Sequence, residues 1–188
     1  MMATVGIALA ICAVAASPGP ASEKYHRIEQ RRVPRGSSIF FSAKELNDWM
    51  RDEESFWASL GIRHVRFDFA TDRVTVRGDV DFVKAVHAAD PEAASGFLGM
   101  LLGKLLAGER PVEVAVHLTS GGGRCRVDVE RLAVSGVPLE GGALDFLIQN
   151  YLRPAFPDAH VAEWFGFDFD VDRAVVTAAG AEVFIRPK

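Results

Sequence analysis

Cysteine is almost missing from this 188-residue chain: there are two, Cys12 and Cys125. So small a supply rules out a disulfide framework and a cysteine-ligated zinc site. Basic excess is missing as well, because 21 Lys and Arg face 25 Asp and Glu for a net charge of -4. A nucleic-acid partner is therefore not expected, since phosphate binding needs a cationic face. No apolar run reaches the roughly 20 residues that a membrane-spanning helix needs. Catalytic signatures are also lacking: no serine sits in a nucleophile elbow, and Gly121-Gly122-Gly123 has no Lys-Ser/Thr after it to make a phosphate loop. The five histidines, His26, His64, His87, His117 and His160, form no zinc pattern. Asp168, Asp170 and Asp172 have the spacing of calcium ligands, but Phe167, Phe169 and Val171 between them read as a strand, and the loop's Gly and distal Glu are absent. No enzyme activity, cofactor or metal is expected.

With 49% hydrophobic and 24% charged residues, what remains is an ordinary globular composition with enough apolar material for one real core. Residues 3–16 are uncharged and almost wholly apolar, end in small residues and run into Ser17-Pro18-Gly19-Pro20. They read as a signal peptide cleaved near Ala15 or Ala16, giving a periplasmic or extracellular protein, or a membrane-anchored one if uncleaved. No Lys or Arg precedes the run, so the usual positive flank is missing. Residues 17–41 read as a solvated basic linker, with Lys24, Arg27, Arg31, Arg32 and Arg35 over residues 24–35 open to an anionic membrane surface. The domain proper is expected over 42–188. Cys125, between Arg124 and Arg126 in a strand-like run, reads as a small buried apolar side chain.

Ser42 and Glu45 have the spacing of a capping box, with Phe41 placed to staple onto Leu46. The helix they start should run past Leu46, Trp49, Met50, Trp57 and Leu60 and stop at Gly61. Period two then takes over. Val65, Phe67 and Phe69 alternate with polar residues, turn at Asp72-Arg73, and continue through Val74 and Val76, with a bulge expected at Gly78. A second ribbon pairs Val112, Val114, Val116 and Leu118 with Cys125, Val127 and Val129 across the glycine turn. A third spans 165–185 and echoes the first: residues 167–176 match 67–76 in Phe, Asp, Phe, Asp, Arg and Val. Duplication and shared hairpin grammar both explain the echo. The fold class that follows is α+β, a curved antiparallel meander sheet wrapped around two or three helices. Phe67, Phe69, Val74, Val76, Val114, Val116, Val127, Val129, Phe167 and Phe169 should line its concave face. Arg66, Asp68, Glu113, Arg126, Asp128 and Asp168 should lie outside.

Two segments between ribbons are helical in pattern. Leu144, Leu147, Ile148 and Tyr151 form an amphipathic stripe ended by Pro154. Residues 93–107 are apolar on every side, carrying Phe97, Leu98, Met100, Leu101, Leu102, Leu105 and Leu106 with Lys104 as the only charge. Such a helix must be covered all round. Gly96, Gly99 and Gly103 lower its helix propensity by roughly 1 kcal/mol each and make it pliable.

This order of capped helix, hairpin, apolar helix, hairpin, Gly136-Val137-Pro138-Leu139, second helix and final hairpin resembles secreted bacterial phospholipid-binding domains of the LmeA-like kind, loosely of the tubular lipid-binding superfamily. The resemblance covers about residues 42 to 186, and residues 124–152 carry most of it. It implies a noncatalytic groove for a lipid or other acyl-chain ligand in the cell envelope. The residues assigned to that groove are Phe97, Leu98, Leu101, Leu102, Leu105, Leu144, Leu147, Ile148 and Tyr151, with Phe67, Phe69, Phe167 and Phe169. Two other readings stay open: a plain core that consumes all this lining, and an envelope scaffold that meets protein through a strand edge.

Overall fold

Period-two alternation becomes an antiparallel meander in the computed structural model, which describes residues 19–84, 108–141, 144 and 162–187. In chain order the first elements are α1 (Pro20–Glu29), β1 (Ser38–Ser42), α2 (Ala43–Asp52), α3 (Glu54–Ser59), β2 (Ile62–Ala70) and β3 (Arg73–Asp81). After them come β4 (Glu109–Gly121), β5 (Arg124–Val134), β6 (Val137–Leu139), β7 (Trp164–Gly166), β8 (Val171–Thr177) and β9 (Gly180–Ile185). The fold is α+β, as the alternation implies. Strands β2 to β6 pair in sequence order, with β7 added to β5.

Each hairpin turn follows from its residues. Gly122 and Gly123, with φ of 59° and 76°, make the two-residue turn between Gly121 and Arg124. Both positions need the left-handed region that glycine enters freely. The bulge lies beside Gly78, but on the opposite strand. Arg63 pairs with Asp79 and Arg66 with Arg77, so His64 and Val65 together face Gly78. A Cβ at Gly78 would come within 3.1 Å of the Arg63 carbonyl, which is why glycine stands opposite the bulge.

The third ribbon departs from expectation. Its strands β8 and β9 join β1 in a separate three-stranded sheet, ordered β1-β9-β8, and only β7 joins the meander. The echo of 67–76 in 167–176 is therefore not a repeated hairpin. Phe169 and Asp170 have φ of 59° and 62°, and Val171 N donates to Asp168 O at 3.2 Å, so the chain turns where alternation predicts strand. Phe167 and Phe169 thus leave the expected strand position, although both still pack against the core. Asp168, expected outside, is partly withdrawn from water, and burial pushes its carboxyl above the usual carboxylate value.

Residues 17–41 are not a solvated linker. Residues 20–29 form α1, whose Ala21, Tyr25 and Ile28 make a buried stripe at spacings of four and three. Val33, Ile39 and Phe41 are buried as well, the last two from β1. The helix ends with Arg31 N donating to Ile28 O and Arg32 N to Arg27 O, and Arg31 takes the left-handed position that glycine usually fills. Lys24 binds Glu45 at 2.6 Å, which neutralises one cation of the basic run. Burial tends to raise the Glu45 carboxyl, but Lys24 and Ser42 bind it and hold it below its usual value.

The Ser42–Glu45 capping box forms as the spacing implies. The helix after it breaks at Glu53 into α2 and α3, each presenting tryptophan to the core: Trp49 and Trp57. One central core then runs between the helices, the small sheet and the hairpin-turn end of the meander, with Met50, Cys125 and Val127 its most deeply buried side chains.

Polar side chains close the outer edge of β2. Asn47 Oδ1 accepts from Phe67 N at 2.7 Å while its Nδ2 donates to Phe67 O at 2.9 Å, as a neighbouring strand would. Glu54 Oε1 accepts from His64 N at 3.0 Å. Such capping blunts an edge that would otherwise template pairing with another chain. Asn47→Ala strips both bonds from a part-buried backbone, so it should lower unfolding free energy by about 1–3 kcal/mol. Asp48→Ala removes only exposed ion pairs and should stay within about 1 kcal/mol. Urea unfolding of the two variants beside wild type checks the difference.

Candidate ligand-binding face

The inner face of the meander carries apolar residues along its full length, but they fall into two groups. At the end that bears the β2–β3 and β4–β5 turns, Phe67, Val74, Val116, Leu118 and Val127 belong to the central core. At the opposite end Phe82 and Val134 are buried in a separate cluster, with Val80, Val112, Leu132 and Leu139 half-buried around them. The division follows from where the small sheet sits. Strand β8 crosses the turn end of the meander, with its Asp172 O accepting from Gly123 N in the β4–β5 turn and its Val176 O from Asp72 N in the β2–β3 turn. The small sheet therefore cannot cover the whole inner face.

The second cluster lies where the chain leaves and rejoins the sheet. Asp81 at the end of β3 pairs with Glu109 at the start of β4, so the end of β3 and the start of β4 lie side by side next to Val80 and Phe82. Leu139, paired with Leu132, is the last residue of β6, just before the second helical-pattern segment. Of the groove residues assigned from sequence, Phe67 is buried in the central core, and Phe69, Phe167 and Phe169 are half-buried against it. These four are brought together with the packed core rather than with the second cluster. Leu144 is half-buried. Phe97, Leu98, Leu101, Leu102, Leu105, Leu147, Ile148 and Tyr151 lie outside the described residues, as do residues 1–16. Sequence reasoning did not assign Val80, Phe82, Val112, Leu132, Val134 or Leu139 to a site. Part of their signal was there, since period two continues past Gly78 to Val80 and Phe82; in β5 it changes phase after Val129, where Ala115 pairs with Arg131 and Val116 with Val129, and so turns Leu132 and Val134 inward.

The outer face is polar and paired. Arg77 binds both Asp68 and Glu113, the second at 2.8 Å, and Arg73 reaches Glu130 at 2.5 Å. Between the bulge and the β5–β6 turn a cleft of about 320 Å³ opens, with Pro111, Ala133 and Gly136 in it and His64, Asp79, Arg77, Glu113 and Arg131 around it. His64 Nδ1 lies 2.8 Å from Asp79 Oδ2. The Asp79 hydrogen bond, helped by the charges of Glu54, Asp79 and Glu109, holds the imidazole above its usual pKa against a smaller opposing effect of desolvation.

The three aspartates that resemble calcium ligands diverge. Asp170 faces Arg31 and Arg35, Asp172 pairs with Arg173 at 3.2 Å, and Asp168 is drawn toward the interior. Among the described residues no group of three or more His, Cys, Asp or Glu could hold a metal ion. Cys125 is fully buried, and burial pushes its thiol up to about 12. At neutral pH it is a protonated, apolar filler.

Two measurements follow. A raised His64 pKa means that its pairing stabilises the fold below the unfolded-state pKa, and that this contribution is lost as pH rises through the folded-state value. The His64 midpoint in an NMR titration should fall toward 6.5 in Asp79→Asn, and the acid-side stability gain should shrink with it. Cys125 should react with an aromatic disulfide reagent only when the chain unfolds, so labelling and denaturant transitions should coincide.

Compared with protein-family models, curated proteins and solved structures, the chain matches none.

Proposed function

We propose that this protein binds a lipid or other acyl-chain ligand without catalysis, as a carrier or receptor in a bacterial cell envelope, and that it is an LmeA-like phospholipid-binding domain. The observation that carries this reading is the overhang of the meander. Its inner face extends past the central core into a second apolar section, where Val80, Val112, Leu132 and Leu139 are only half-buried around Phe82 and Val134. The most apolar stretch of the sequence, residues 93–107, comes just before Gly108 and the start of β4, which pairs with the end of β3 there. A groove between the two would be apolar on both walls. Each methylene placed in it gains about 0.8 kcal/mol, so a chain of ordinary length needs no charged anchor along its body.

The reading assigns Phe97, Leu98, Leu101, Leu102 and Leu105 to one wall, with Leu144, Leu147, Ile148 and Tyr151 beside them. It adds Val80, Phe82, Val112, Leu132, Val134 and Leu139 as the other wall, and removes Phe67, Phe69, Phe167 and Phe169, which serve the central core. Export through residues 1–16 would put such a carrier where envelope lipids are. A scaffold that captures protein by strand addition draws little support from β2, because Asn47 and Glu54 already occupy its edge.

Leu101→Asp and Leu132→Asp should each abolish uptake of a fluorescent fatty acid or phospholipid, while Asp68→Asn leaves it unchanged. Circular dichroism on the same proteins separates lost uptake from lost fold. Wild-type protein that takes up no acyl chain, and carries none in native mass spectrometry, ends the reading.

A further inference from the structure

At the end of the molecule away from the second cluster, a smaller cleft has features of a different kind. Its volume is about 170 Å³, and it lies between the end of α1, the chain after it, the turn at 168–171 and the end of β9. Ile28, Val33 and Ile185, all buried, make its floor together with the half-buried ring of Phe169. Arg31, Arg35 and Asp170 stand around them. Three residues of this lining, Arg31, Phe169 and Asp170, have positive φ without being glycine. Backbone held in that region by bulky side chains is a form of strain that gathers where a site must be shaped.

We propose that this cleft binds the anionic head of an amphiphile, a phosphate or carboxylate group carried on an apolar chain. Two guanidinium groups converge on one carboxylate, with Arg31 Nε at 3.7 Å and Arg35 Nη2 at 4.0 Å from Asp170 Oδ2. Both distances are too long for hydrogen bonds, so the carboxylate neutralises charge without filling either donor fork. Asp170 is an internal anion beside two cations that still have donors to give, and a net positive charge remains. The floor beneath them is hydrocarbon, which suits the first carbons behind a head group and offers nothing to a bare ion. A pocket for a whole ligand usually measures about 300 Å³ or more, so this one holds one end of a longer molecule. Of the residues first assigned to the acyl-chain groove this site uses Phe169 alone, which the proposed function gives to the central core, so either site can fail alone.

The test uses the full chain and three probes: octyl phosphate below its micelle concentration, inorganic phosphate, and phosphatidylcholine vesicles with or without phosphatidic acid. Octyl phosphate should bind at least about tenfold more tightly than inorganic phosphate, the amount expected when a few methylenes are buried. The double variant Arg31→Gln, Arg35→Gln should lose about tenfold or more, because hydrogen bonds to charged groups are removed at exposed positions that the fold does not need. Asp170→Asn should bind more tightly than wild type, since asparagine keeps the left-handed turn and removes the competing charge. Lys44→Gln, which removes an exposed cation outside the cleft, should leave octyl phosphate binding unchanged. Vesicle binding that octyl phosphate displaces identifies a bilayer lipid as the source, whereas octyl phosphate binding without vesicle binding identifies a soluble amphiphile; both uphold the cleft. Equal affinity for inorganic phosphate, unchanged affinity in the double variant, or vesicle binding without octyl phosphate binding would each overturn it.

Discussion

Everything in this fold hangs on how the backbone groups at the free edge of β8 are satisfied. Strand β8 pairs with β9 on one side, and its other side faces the turns of the meander. Asp72 N, in the β2–β3 turn, donates to Val176 O at 3.0 Å, and Gly123 N, in the β4–β5 turn, donates to Asp172 O at 2.7 Å. Between them Ser120 Oγ both donates to Ala174 O at 2.6 Å and accepts from Ala174 N at 2.9 Å. A buried, unpaired backbone group costs roughly as much as several apolar contacts gain, so these few bonds decide where the small sheet can sit. Once it sits there, Val171, Ala174 and Val176 meet Val116, Leu118 and Val127, and the central core closes.

The same constraint accounts for residues that look out of place. Asp72 occupies a left-handed turn position with φ of 54°, which aspartate tolerates better than most side chains. Its carbonyl then accepts from Leu118 N at 2.9 Å, tying the first turn to β4 as well as to β8. Gly123 leaves room for the Arg186 guanidinium, which lies where a Cβ would project. Where β9, the central strand of the small sheet, pairs with β1, a Cβ on Gly180 would run into the Phe41 carbonyl, so their close approach requires glycine. Charge plays a lesser part. The ladders formed by Arg77, Glu113 and their neighbours are half-exposed, and such pairs contribute about 0–1 kcal/mol each. Their larger effect is on register, because a one-residue slip would carry them onto the apolar face.

Legibility in the sequence tracked how local each signal was. The capping box, the glycine turn and the inward face of β2 to β5 could all be read, since each depends on residues a few positions apart. What stayed hidden depends on distant partners. The stripe of Ala21, Tyr25 and Ile28 is three residues in a run dominated by cations, and it becomes a core element only because Trp49 and Phe169 are there to meet Tyr25, at 5.9 and 6.3 Å between rings. Phe167 and Phe169 alternate as a strand would, yet Arg186 N donates to Asp170 O at 2.8 Å and the chain turns instead. Nothing near residue 169 announces that bond. The site residues suffered in the same way: phenylalanines drew attention as the largest apolar side chains, and large side chains are the ones a central core consumes first.

The central core and the proposed acyl-chain site use different stretches of the same strands. The central core holds both sheets and the helices, and its most buried members tolerate little change in volume. Among the described residues the second cluster is joined to it through the strands themselves, and its rim of Val80, Val112, Leu132 and Leu139 is half-buried. Under the proposed function, a sheet that both holds a fold together and admits an acyl chain needs two sets of residues, because admitting the chain means parting the walls. Strands longer than the body packed on them resolve that conflict. The turn end closes over the central core, and the far end keeps the apolar residues Val80, Val112, Leu132 and Leu139 outside it.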